Sequence, residues 1–208
     1  MKRRLMDVER KPDENTLLLL HFDGNIVDAT DKVNVTINSG SATYTQGKFG
    51  KCLNQTLPKL YLQGSDLKFG SGDFTIDFWI YRTGTLSTYA GIFENSYYSN
   101  GDGLTVQVNG TNQIEAYYND GCGPRTSQLP LNEWTHVAMV QDASKIKMFT
   151  NGILTETKGD SRVTNRADAY LFDRYGQNIR LTNALIDEFR ISNIARWTSN
   201  FTPPTKPY

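Results

Sequence analysis

Few residues in this chain of 208 are suited to acid–base or nucleophilic chemistry, and their spacing works against it. The two histidines, His21 and His136, both stand in apolar runs (LLLLHF and EWTHVAM), where an imidazole is more often packed and hydrogen-bonded than reactive. Asp187 and Glu188 are adjacent carboxylates. On a regular strand neighbouring side chains point to opposite faces, so these two are not expected to act as a pair. No Gly-x-Ser-x-Gly elbow, Walker loop or Cys-x-x-Cys pair occurs. The chain is therefore expected not to be an enzyme.

Recognition is better served. Tyr97, Tyr98, Asn100 and Asp102 form one cluster, and Tyr117, Tyr118, Asn119 and Asp120 form a second. Aromatic faces stack on apolar surfaces such as those of sugar rings, while Asn and Asp in loops hydrogen-bond hydroxyl groups. The first cluster leads into Leu104–Val108 and the second leaves Gln113–Tyr118. With Asn109-Gly110 between them as a type I′ turn, these segments make a hairpin that brings both clusters to one end. Trp79 and Tyr81 alternate with Phe78 and Ile80, so they are expected to line the face of their strand opposite the core. The competing structural role for all these aromatics is to fill the outer layer of a sheet.

The elements that must position these residues are strands. Phe74, Ile76, Phe78 and Ile80 alternate with Thr75, Asp77, Trp79 and Tyr81, a period of two with one apolar face. Trp134–Gln141 turns back at 142–144 into Lys145–Phe149, and Asn151-Gly152 turns again into Ile153–Lys158. Short strands and turns repeated at about ten residues imply an all-β, two-sheet antiparallel sandwich or jelly roll. Two apolar runs near the ends, LLLLHFDG (Leu17–Gly24) and ALIDEFRI (Ala184–Ile191), are expected side by side, closing the domain. Residues 1–14 form a polar N-terminal arm with Pro12, residues 15–194 the jelly roll, and residues 195–208 a Pro-rich C-terminal tail that packs Trp197 and Phe201 back onto it.

Bulk properties agree with one domain. Apolar residues make up only 38 % of the chain, but 11 Tyr, 10 Phe and 3 Trp supply large side chains for a core between two sheets. The 22 basic and 22 acidic residues cancel, which disfavours nucleic acid as a partner. Lys2-Arg3-Arg4 is the one basic cluster, a solvated tail or a docking peptide. No apolar run is long enough for membrane insertion, and no signal-peptide core follows the basic residues. Cys52 and Cys122 do not make a disulfide framework and are expected as free thiols in a reducing compartment. The Asn-x-Thr sequons at Asn34, Asn54, Asn109 and Asn200 are expected by chance in a chain rich in Asn and Thr.

The order of six segments resembles the laminin G-like, concanavalin A-like lectin/glucanase jelly roll: LLLLHFDG at Leu17, GKFGKCL at Gly47, GSGDFTIDFWIYRTG at Gly70, NEWTHVAMV at Asn132, KMFTNGILT at Lys147 and ALIDEFRIS at Ala184. Glucanases of that fold carry a Glu-x-Asp-x-x-Glu set on one strand, and no such spacing occurs here. In many relatives a structural Ca²⁺ joins the N-terminal strand, a Gly-rich second segment and an Asp on the last strand. The matching positions are Asp23, Gly50 (through its carbonyl) and Asp187; the alternative is that Asp23 caps its Asp-Gly turn and Asp187 bonds backbone. The ending IARWTSNFTPP (Ile194–Pro204) resembles tails of such domains in bacteriophage tail and other virion proteins. The resemblance thus implies a non-enzymatic virion structural or receptor-recognition module, assembled in the host cytoplasm. Its partners would be a host-surface glycan or receptor, other virion proteins and further copies of itself. The alternative is a carbohydrate-binding lectin domain of a secreted, extracellular bacterial protein.

Overall fold

The computed structural model describes residues 12–68, 70–96, 103–118, 121–143, 145–159, 165–174 and 179–208. Its strands, in chain order, are β1 (Thr16–Leu20), β2 (Asn34–Ser39), β3 (Tyr44–Gln46), β4 (Lys51–Leu53), β5 (Lys59–Gln63), β6 (Phe74–Arg82), β7 (Gly91–Glu94), β8 (Thr105–Val108), β9 (Ile114–Tyr118), β10 (Gly121–Arg125), β11 (Trp134–Asp142), β12 (Lys145–Thr150), β13 (Ile153–Gly159), β14 (Asp168–Leu171) and β15 (Ala184–Ser192). One sheet runs β13-β12-β11-β6-β15-β4-β3, with β1 also on β15; the other runs β10-β9-β8-β7-β14-β5-β2. All pairings are antiparallel. This is the expected two-sheet jelly roll.

The alternation read in β6 sets the core. Phe74, Ile76, Phe78 and Ile80 all point between the sheets, where they meet Leu60, Leu62, Val106, Ile114 and Leu171 from the opposite layer. Phe78 stacks on Phe189 with ring centroids 5.7 Å apart, and Phe172 meets the same ring edge-on at 6.2 Å. The two terminal strands pair as expected, with Leu18 opposite Ile191 and Leu20 opposite Phe189.

β15 is not regular. Its register shifts between Asp187 and Arg190, and Glu188 takes a left-handed φ of 51°. A bulge of this kind turns one extra residue out of the ladder. Here it lies where the neighbour of β15 changes from β4 to β1, since Ile186 faces Leu53 and Phe189 faces Leu20. The bulge overturns the expectation that Asp187 and Glu188 point apart. Both carboxylates act on His21, whose pKa is raised first by its bond to Glu188 and further by the Asp187 charge.

Two Asn-Gly pairs behave differently. At Asn151-Gly152 both residues are left-handed (φ 49° and 76°), the geometry of a two-residue type I′ turn joining β12 to β13. At Asn109-Gly110 the expected two-residue turn is replaced by a wider loop. The Asn109 side chain accepts the backbone N–H groups of Thr111 and Gln113, and Asn112 takes the left-handed position at φ 57°.

The tail covers the outer face of the first sheet. Trp197 and Phe201 stack at 4.0 Å with rings nearly parallel, and they pack with Leu154 and Ala195 over buried Ala138, Val140 and Phe149. Beyond Pro203 and Pro204 the chain returns to the sheet centre, where the Tyr208 hydroxyl bonds Asp77 and, at 3.0 Å, His136. Arg190 lies under the Tyr208 ring at 3.5 Å and holds Asp77 through two bonds of 3.0 and 3.1 Å. This face is thus a second, smaller core built around a buried ion network.

Candidate functional site

The tail decides what becomes of the expected aromatic sites. Trp79 lies on the first sheet's outer face, only 5 % exposed, with Phe49 edge-on at 6.0 Å, His136 at 5.2 Å and Lys48 over its ring at 4.4 Å. It offers no open face to a ligand. Tyr81 is half-buried on the same face and packs on Trp134 at 5.5 Å. Tyr117 belongs to the other sheet, so Trp79 and Tyr81 do not join it in one site. Tyr97, Tyr98, Asn100, Asp102, Asn119 and Asp120 lie outside the described residues, as does the side chain of Tyr118, whose backbone pairs with Gly121.

The outer face of the second sheet has a different character. One straight cross-strand row runs Thr36–Tyr61–Tyr170–Glu94–Thr105–Tyr117, each residue opposite the next on β2, β5, β14, β7, β8 and β9. At a strand spacing of about 4.8 Å, Tyr61 and Tyr117 stand roughly 19 Å apart along the row. The ends are aromatic: Tyr61 and Tyr170 lie 5.0 Å apart with Lys59 over Tyr170 at 4.3 Å, and Arg174 lies over Tyr117 at 5.1 Å. The middle sinks below the surface, for Glu94, Thr105, Gln107 and Glu115 are all buried. The result is a polar trough with aromatic ends.

Its floor is held by hydrogen bonds. Glu94 accepts from Ser96 and from the Thr105 hydroxyl at 2.9 Å, and burial nonetheless raises its pKa. Gln107 donates its amide to Glu115 at 2.9 Å, leaving its buried oxygen without a partner. Asp173, beside Lys59, also has a buried oxygen without a partner, and burial raises its pKa as well. Gly91 permits this packing: a Cβ there would stand 2.6 Å from the Asp173 carbonyl oxygen. Each strand's alternation (KLYLQ, TVQV, IEAYY) carried the signal for an outward polar face. The missing signal was that β14 lies between β5 and β7, a pairing of segments far apart in the chain.

Asp23, Gly50 and Asp187 do come together. Asp23 accepts the Lys51 N–H at 2.6 Å, a Cβ on Gly50 would collide with the Asp23 carboxylate, and Asp187 accepts the Phe49 N–H at 2.9 Å. The Gly50 carbonyl is already engaged by the Gly47 N–H and the Gln46 amide, at 3.0 and 2.9 Å. The second Asp187 oxygen is buried without a partner. Burial pushes Asp187 up to about 7; bonds from Phe49 and Lys48 oppose that rise, and the charges of Glu188 and Asp23 add to it. Among the described residues no three His, Cys, Asp or Glu side chains converge as a metal cluster. The two carboxylates suit a hard cation, whereas the Gly50 carbonyl has its acceptor capacity already taken.

A groove of about 430 Å³ beside β2, lined by Ile26, Val27, Val33 and Val35, contains Asp28. That carboxylate is spent on the backbone N–H groups of Leu19, Thr30, Lys32 and Val33, so it braces a loop.

A family model described as the concanavalin A-like lectin/glucanases superfamily matches residues 59–199. No curated protein matches the chain. Among solved structures, the binding domain of Paraclostridial Mosquitocidal Protein 1 aligns at 16 % identity and a TM-score of 0.68, over 87 % of this chain and 49 % of that one. Domain 4 of AbnA, a GH43 extracellular arabinanase from Geobacillus stearothermophilus in complex with arabinotriose, aligns at 20 % identity and a TM-score of 0.64, over 86 % and 92 %. The binding domain of Botulinum Neurotoxin DC in complex with SialylT aligns at 13 % identity and 0.64, over 88 % and 48 %. This chain spans about half the length of the two toxin binding domains. At these identities the likeness is one of fold.

Proposed function

This chain belongs to the concanavalin A-like lectin/glucanases superfamily, and from that premise we propose that it is a non-enzymatic carbohydrate-recognition domain whose ligand lies on the outer face of the second sheet. The row Tyr61–Tyr170–Glu94–Thr105–Tyr117 carries this reading, because it combines aromatic stacking faces with buried polar groups on one open sheet face. The fold shared with binding domains of toxins and of an arabinanase supports it. Tyr61→Ala and Tyr117→Ala should each weaken glycan binding roughly tenfold without lowering thermal stability by more than a few degrees. Undiminished binding in both variants would move the site elsewhere.

The setting we propose is a bacteriophage particle, supported by the ending Ile194–Pro204. A secreted bacterial protein is the second reading, favoured by neighbours that are toxin binding domains and part of an extracellular arabinanase. Co-sedimentation of the purified domain with tails or capsids separates the two.

A structural Ca²⁺ held by Asp23 and Asp187 is proposed as well, on the strength of the unpartnered Asp187 oxygen. A bound cation there would neutralise both carboxylates beside the Gly47–Lys51 loop. Without metal, Asp187 titrates at about 7 against an ordinary 3.8, so the stability it contributes is full below about pH 4 and lost as pH rises towards 7. The raised His21 acts in the same direction, its contribution being full below its ordinary 6.5 and lost as pH rises through its folded value. In chelator, Tm should therefore fall between pH 5 and pH 8, and Asp187→Asn should flatten the acidic part of that fall. Calcium at a hundredfold excess over Kd should restore roughly 5–10 °C at pH 8 in the parent and nothing in Asp187→Asn. A Tm that ignores both chelator and calcium at pH 8 removes the metal.

A further inference from the structure

The trough specifies which kind of glycan it takes. Two buried oxygens face it without a donor, the Gln107 amide oxygen at 0 % exposure and one Asp173 carboxylate oxygen at 1 %. The orientation of the Gln107 amide is not arbitrary. Its nitrogen must face the Glu115 carboxylate, which can only accept, so the oxygen is the atom left over. A buried acceptor without a donor is costly, and the cost is removed by anything that brings a hydroxyl.

The groups around them narrow the choice. Glu94, Glu115 and Asp173 line the floor, so a sulfate, uronate or sialate would add negative charge beside carboxylates and could donate nothing from its anionic group. The nearby cations are already engaged: Lys59 lies over Tyr170 and acts on Asp173, while Arg174 lies over Tyr117 and acts on Glu94. The row is also straight. It crosses five strands from Tyr61 to Tyr117, about the length of a short linear oligosaccharide whose rings repeat at a pitch near the strand spacing.

We infer that the ligand is a neutral, linear oligosaccharide lying across β5, β14, β7, β8 and β9, with rings against Tyr61–Tyr170 and Tyr117 and hydroxyls donating to Gln107 and Asp173. The inference rests on the glycan-binding reading above and adds ligand charge, shape and direction to it.

The test is a panel of unsubstituted arabino-, xylo- and gluco-oligosaccharides of increasing length, set beside sialylated, sulfated and uronate-containing chains of matched length. Binding of the intact chain is followed by calorimetry. The expected result is binding of neutral chains, tightening with length and then levelling off once the row is spanned. Gln107→Met should weaken that binding about tenfold or more while leaving Tm unchanged or raised, since an unpaired buried acceptor is removed. Asp173→Asn, which exchanges an acceptor for a donor at nearly constant shape, is the second variant and should weaken binding likewise. Binding confined to acidic glycans would overturn this inference and leave the recognition reading standing. Neutral-glycan binding untouched in both variants would also overturn it. No binding across the panel would sink both.

Discussion

Asp77→Ala is expected to cost the fold about 3–5 kcal/mol, the loss seen when one partner of a buried ion pair is removed. Asp77 is fully buried and serves three groups: the Arg190 guanidinium, His136 at 3.3 Å and the Tyr208 hydroxyl. Burial alone would raise its pKa. The Arg190 charge and the bond to His136 outweigh burial and hold it at about 2. The stability it contributes is therefore present above its ordinary 3.8 and lost as pH falls towards 2. Removing the carboxylate strands a guanidinium that is only 9 % exposed on its side chain, and it frees Tyr208. Urea unfolding of Asp77→Ala measures the loss, and a value below about 1 kcal/mol would mean that water replaces the carboxylate readily. The double variant Asp77→Leu, Arg190→Met should recover most of it, because apolar pairs of similar volume often match or exceed a buried ion pair.

That network also marks the limit of what the sequence discloses. The strand period placed Phe74, Ile76, Phe78 and Ile80 in the core and put Asp77 and Trp79 on the other face. It could not say that this other face would be covered. The covering comes from Trp197, Phe201 and Tyr208, more than a hundred residues away, and Trp79 is buried because of it and of the Lys48–Phe49 loop. The apolar runs at Leu17 and Ala184 showed their pairing openly, since both must be buried and each lacks another partner. The bulge at Glu188 left no such trace, because a single extra residue does not alter composition.

The candidate site follows the same rule. Tyr117 was visible beside other Tyr and Asn residues in a local hairpin. Tyr61, Tyr170 and Glu94 were not, because each is one polar position in a short apolar strand and only the register between distant strands turns them into a row. Local chemistry is legible in a β-protein; the cross-strand neighbours that make it a site depend on contacts across the whole chain.

Phe201→Ala is expected to cost on the order of 2–4 kcal/mol, below the full value for a buried aromatic because the ring is half-exposed. Phe201 stacks on Trp197, meets Phe149 edge-on at 5.4 Å and His136 at 5.7 Å, and its backbone N–H bonds the Gly152 carbonyl at 2.9 Å. Truncating it should release the tail from Phe149 and let water reach Trp197, shifting tryptophan fluorescence to the red before global unfolding. A cost under about 1 kcal/mol with unchanged fluorescence would show that Trp197 alone seals the face. The same variant separates the two sheet faces by function. If the first sheet's outer face serves stability and the second serves recognition, Phe201→Ala should lower Tm and still bind glycan with the parent's affinity below that temperature. Loss of both together would mean that the tail's packing reaches through the core to the row from Tyr61 to Tyr117.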